Sequence, residues 1–191
     1  MPDIPAKIEE LLAYMDSTRA ELVACAREMN PSFAQIRPRD GVWSAADNLA
    51  HLALVEGNVV NLMTKSIAEA RAGGIGPDES DQSFMHTLDR WRVPDHDMKV
   101  TAPARITPDN DNTVEESLAS LERSRERLRN MLIENSDVDL AAIKRPHPLL
   151  RKLDMYQWAL FVAQHEVRHR KQMERTLIEV TERAAECAPI V

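Results

Sequence analysis

Residues 154–176 read DMYQWALFVAQHEVRHRKQMERT, and the periodicity of this stretch decides the fold. Trp158, Val162, His165, His169, Gln172 and Thr176 follow one another in alternating steps of four and three, the spacing that lines one face of an α-helix. Asp154 and Gln157 stand three apart at its start, as a helix cap requires. The stripe is apolar at one end and imidazole in the middle. Such a face is stable only against other helices, so the rest of the chain must supply them.

Three further segments do. From Ile4 to Met29 the positions Ile4, Ile8, Leu11, Met15, Leu22 and Cys25 recur at threes, fours and one seven, and Pro31 and Pro38 end that helix. Ser44 with Asp47 predicts a capped second helix carrying Leu52, Val55, Val59, Leu62 and Ile67, closed by Gly73 and Gly74. Thr113 with Glu116 predicts a third, seamed by Leu118, Leu121, Leu128 and Leu132 and stopped at Asn135 to Asp137. Between helices two and three, residues 73–112 show no lasting pattern, and Pro77, Pro94, Pro103 and Pro108 break it. Ser83 to Arg92 is expected to form a short helix there. Compact domains seldom hold connections beyond about 15 residues unless these cover a site or cross a bundle, so this one is a candidate lid or crossover. No strand and no internal repeat is evident. The expectation is an all-α protein, one four-helix-bundle domain over 1–191 with a long connection between helices two and three.

Composition limits the partners. The chain has 191 residues, 43% of them apolar, with net charge −7 and pI near 5.4, which argues against nucleic acid and anionic membrane. Arg123, Arg125, Arg127 and Arg129 recur among acids and polar residues and read as a solvated helix face. No apolar run suits a bilayer, and the N-terminus lacks a basic region followed by an apolar one. Two cysteines, Cys25 and Cys187, make no disulfide framework. A cytoplasmic setting and a small-molecule substrate are expected. Methionine-rich faces also suit a homodimer.

The histidines carry the chemistry. His165 and His169, one turn apart, can reach a single ion, and His51 lies on the seam of helix two, so packing helix two on helix four brings three imidazoles together. Burying them unpaired is costly, and a shared divalent cation satisfies their acceptor nitrogens. Three neutral ligands with an open side suit zinc or nickel first, then iron or manganese. The same residues spell His-Glu-Val-Arg-His, the H-E-x-x-H pattern of zinc peptidases, in which Glu166 would be the general base. Glu182 and Glu186 lie downstream, where such enzymes place a further ligand. Read as a helix position alone, Glu166 is a surface acid. Glu56, five residues after His51, is either a partner that orients a histidine or half of an ion pair. These two carboxylates are the weak catalytic candidates. Trp43 reads as a staple before the helix-two cap or as a ring stacked on a ligand. Gln172 is placed either to bond a ligand ring or to satisfy a helix contact. His86, His96 and His147 are expected in solvent, or at the mouth of a site. Arg90, Arg92 and Arg105 lie in the long connection, where they meet either solvent or an acidic substrate.

Residues 41–52, GVWSAADNLAHL, and residues 164–172, QHEVRHRKQ, resemble the two histidine signatures of the DinB-like, or YfiT-like, superfamily of four-helix metalloproteins. TAPARITP at 101–108 and PHPLL at 146–150 are similar to further landmarks of it. The resemblance implies a bundle holding a metal through His51, His165 and His169. It also implies transfer or isomerisation with a low-molecular-weight thiol, in a family that includes members of no known activity. Metal-activated water is a second chemistry open to such an ion, and the alternative reading is a non-catalytic bundle acting as a binding or stress-associated module. The glycine usual after Pro-His-Pro is absent here, with Leu149, Leu150, Arg151 and Lys152 in its place.

Overall fold

A computed structural model describes residues 4–97, 101–108 and 113–186. Cys187 and Asn112 lie outside them. The chain forms α1 (Ala6–Glu28), a single turn α2 (Pro31–Ala34), α3 (Ala45–Ala72), α4 (Val114–Glu134), a hairpin of β1 (Lys144–His147) and β2 (Arg151–Asp154), and α5 (Met155–Glu186). Four long helices make the bundle, and their predicted caps are present. Ser44 with Asp47 and Thr113 with Glu116 form reciprocal capping boxes. Asp154 and Gln157 do the same before α5, each backbone N–H donating to the other's side chain at 3.1 and 2.9 Å. Among the described residues no helix is long and apolar enough to cross a membrane.

The extensive helix contacts join α1 to α5, α5 to α3 and α3 to α4, while α1 and α4 meet more briefly. The long connection therefore links two neighbours, α3 and α4, and α5 sits between α1 and α3. The order is not that of a simple up-and-down bundle. Where α1 and α4 meet, a groove of about 750 Å³ opens, with Arg19 and Arg125 among its lining residues.

Along its axis the bundle alternates apolar and ionic layers. One apolar cluster includes Leu22, Leu49, Leu121 and Met173; the other includes Met15, Val59, Leu128 and Val162. Between them each long helix contributes one charged residue: Arg19, Glu56, Arg125 and Glu166, only 7, 2, 4 and 1% exposed. Arg19 pairs with Glu56 and Glu166, both at 2.6 Å, and Arg125 pairs with the same two at 3.1 and 2.9 Å. Each arginine also donates to backbone, Arg19 to the Leu121 carbonyl and Arg125 to that of Met15. Arg125 thus departs from the solvated face expected of it, whereas Arg123 and Arg127 remain exposed.

Two local expectations are corrected. Ser83 to Arg92 is not a helix but a run of turns ending in one 3-10 turn, Asp89–Trp91, stopped by Arg92 in a left-handed conformation at φ 49°. Strands do occur, as the antiparallel hairpin pairing Lys144 with Asp154 and His147 with Arg151. The turn replaces the missing glycine with strain, since Arg151 sits at φ 67°. Leu153 anchors the hairpin in the core.

Candidate metal centre

His51 comes from α3, and His165 and His169 come from α5, one turn apart on the face packed against α3. Their candidate ligand atoms lie within 4.8 Å of one another. The ring centroids are 4.4 to 5.2 Å apart, and Nε2 of His165 lies 3.0 Å from Nε2 of His169. An ion bonded to imidazole at about 2.1 Å holds neighbouring nitrogens about 3 to 3.4 Å apart, so this pair is already at ligating separation.

Hydrogen bonds set the orientation of two of these rings. His51 Nδ1 is 2.7 Å from the backbone carbonyl of Ile106, which only accepts, so Nδ1 carries the proton and Nε2 the lone pair. Ile106 belongs to a 3-10 turn, Ala104–Ile106, in the long connection, which thereby reaches the site. His169 Nδ1 is 2.7 Å from Asn48 Oδ1. The Asn48 amide nitrogen donates to the Ser44 carbonyl at 2.8 Å, so its oxygen must face the imidazole and accept from it. The helix cap at Ser44 therefore also fixes a histidine. Asn48→Ala is expected to leave the fold intact and to weaken metal binding by about 10- to 100-fold, the usual effect of losing a partner that orients a ligand. Competition with a chromophoric chelator measures it, and an unchanged affinity would contradict the assignment.

All three imidazoles are held neutral. Burial pulls His165 and His169 well below the ordinary imidazole value, reinforced for His165 by His51, Arg168 and His147 and for His169 by His165, His51 and Arg168. Burial lowers His51 too, against the opposing pull of the Ile106 carbonyl. Unfolded histidines titrate near about 6.5. Below that pH the unfolded chain takes up protons that the fold refuses, so the ion-free protein keeps its full stability above about pH 6.5 and loses it as pH falls, by up to about 1.4 kcal/mol per pH unit for each histidine. Urea titrations between pH 7.5 and 5 should show this decline, and a shallower one in His165→Ala. Equal slopes would contradict it.

Other predicted site residues are distributed differently. Trp43 is part of the site, with its ring 4.8 Å from that of His51 and stacked on His169 at 6.1 Å, so it is not simply a helix staple. Phe161, unremarked in the sequence, stacks on His165 at 5.0 Å. Its position four residues before His165 was the available signal. His147 is not in solvent but packed on Trp158 and Phe161. His86 is exposed beside Asp89, and His96 lies beside Asp97. Among the described residues Gln172 makes no hydrogen bond to a histidine ring, and Glu182 and Glu186 are exposed on the last turns of α5. Arg90 lies over the Trp91 ring and Arg92 pairs with Asp95. Arg168 instead ties the connection to α5 by donating to the Asp95 carbonyl.

The two carboxylate candidates are corrected as well. Glu166 is neither a surface acid nor placed as a general base, because Thr18, Arg19 and Arg125 engage both of its oxygens in the ionic layer. Glu56 takes the ion-pair alternative, between Arg19 and Arg125, and orients no histidine. The peptidase reading thereby loses its base. The intervening residue of His-Glu-Val-Arg-His looks into the bundle's ionic layer instead.

A four-helix bundle with three histidines converging from α3 and α5 defines the class. The chain belongs to the DinB superfamily, whose family model matches residues 14–173. It is also similar to the crystal structure of TT2238, a four-helix bundle protein, at 22% identity over 88% of this chain and 98% of that one, with a TM-score of 0.59. At that identity the likeness shows the fold alone. No curated protein matches the chain.

Proposed function

We propose that this protein holds one divalent metal ion through His51, His165 and His169 and uses the ion's open side for chemistry on a small molecule, with a low-molecular-weight thiol or water as nucleophile. The observation that carries this reading is the fixed tautomer of two imidazoles. Ile106 and Asn48 hold the Nδ1 protons of His51 and His169, which leaves Nε2 lone pairs within a cluster spanning 4.8 Å. Three neutral nitrogen donors suit zinc or nickel, and also iron or manganese. Such an ion, when bound, lowers the pKa of coordinated water or thiol so that an anionic nucleophile exists at neutral pH.

The chain's own contribution is to hold and to orient. Asn48 and Ile106 fix the rings, Trp43 and Phe161 flank them, and among the described residues the histidine cluster contains no carboxylate. Glu166 and Glu56 are committed to the arginines, so neither serves as proton acceptor. The test is cobalt(II) titrated into untagged protein, followed by glutathione. A visible cobalt spectrum that gains sulfur-to-cobalt absorption in the near ultraviolet supports thiol chemistry, and a bound ion without that absorption leaves water as the nucleophile. Failure to bind cobalt or any other divalent ion would overturn the reading.

A further inference from the structure

His147, in the hairpin beside the centre, has an imidazole with one defined role. Its Nδ1 accepts the backbone N–H groups of Leu149 and Leu150, each at 3.1 Å. A neutral ring that accepts at Nδ1 carries its proton at Nε2, and burial keeps this ring neutral by pulling it down to about 4. Among the described residues that Nε2–H has no acceptor. The ring packs against Trp158 at 4.9 Å and Phe161 at 4.6 Å, and Phe161 stacks on His165 at 5.0 Å. An aromatic wall therefore runs from His147 to the histidine cluster. Trp158 is 6% exposed, and its Nε1–H is buried with no hydrogen-bond partner. The unmatched Trp158 N–H is costly to bury, and the His147 Nε2–H beside it, on a half-buried ring, is open to an acceptor that a ligand brings.

We propose that this wall receives the organic part of the substrate, a flat apolar group bearing a hydrogen-bond acceptor, and that His147 is the positioning residue that donates Nε2–H to it. The proposal rests on the metal-centre reading above. A site with a committed donor rejects analogues that lack the matching acceptor, because the donor is then left unpaired. His147 therefore sets specificity without touching the ion.

The test uses zinc-loaded protein, with zinc per chain measured first, and benzohydroxamate beside its 3- and 4-acetyl derivatives as probes. The hydroxamate meets the ion, the ring lies on the wall, and the acetyl oxygen offers an acceptor at two distances. At least one acetyl probe should bind wild type about three- to tenfold more tightly than the parent, the worth of one hydrogen bond. His147→Asn keeps an acceptor for the turn, but its amide N–H falls short of the Nε2 position, and it should lose that preference with zinc uptake unchanged. His147→Gln, whose amide N–H takes the place of Nε2–H, should keep it. In unmutated protein the nitrogen-15 imidazole spectrum should show the His147 Nε2 proton moving downfield on adding the preferred probe, a readout independent of how the variants fold. No acetyl preference in wild type, or a preference intact in a folded His147→Asn, overturns the proposal. No zinc in wild type overturns instead the reading on which it rests.

Discussion

Replacing Glu166 with alanine is expected to cost about 3–5 kcal/mol of stability, the penalty for removing one partner of a buried ion pair, while the folded fraction still takes up metal. Glu166 is 1% exposed and shared by Arg19, Arg125 and the Thr18 hydroxyl. Its loss would leave two guanidinium groups facing Glu56 alone. Burial already pushes the Glu56 carboxyl up, with Arg125 and Arg19 pulling the other way. The layer thus depends on near balance between two cations and two anions. Urea denaturation at pH 7 measures the effect. A loss below about 1 kcal/mol, on the scale of an exposed pair, would contradict the account.

Zinc is expected to raise the stability of the wild-type protein strongly and that of His169→Ala hardly at all. An ion that binds the fold and not the unfolded chain, supplied at about 1,000 times its dissociation constant, adds about 4.1 kcal/mol. His169 donates through Nδ1 to Asn48 and lies 3.0 Å from His165, so its removal deletes one of the three proposed ligands and frees Asn48. Thermal melting with zinc and then with a chelator provides the comparison. An equal zinc shift in His169→Ala would place the binding elsewhere.

The bundle and the histidines were legible in the sequence for one reason, that helical spacing is local. Steps of three and four from Trp158 to Thr176 need no knowledge of the partner helix, and the capping boxes at Ser44 and Thr113 announce where their helices begin. The ionic layer was harder to see because its signal is a gap. The apolar stripe skips from Met15 to Leu22 and from Leu121 to Leu128, and Arg19 and Arg125 each stand four after the first and three before the second. Those are core positions, and the structure buries them. Arg125 reads like its exposed neighbours because alternating charge masks one inward member. Which acid an arginine meets depends on how four helices pack, and no spacing along one helix contains that. The hairpin was invisible for a different reason. Lys144, Arg145 and Pro146 have no strand preference, and the pairing is imposed by the turn at His147 to Arg151 and by Leu153 in the core. The same turn packs His147 on Trp158 and Phe161, where the sequence reading offers solvent or the mouth of a site.

The central claim, that His51, His165 and His169 hold a single ion together, is tested most directly by elemental analysis of untagged protein reconstituted with zinc and freed of excess, for wild type and the three single alanine variants. The account predicts close to one zinc per chain in wild type and a substoichiometric value in all three variants, each with its helical circular dichroism preserved. One zinc per chain retained in the variants, or none in wild type, would contradict it.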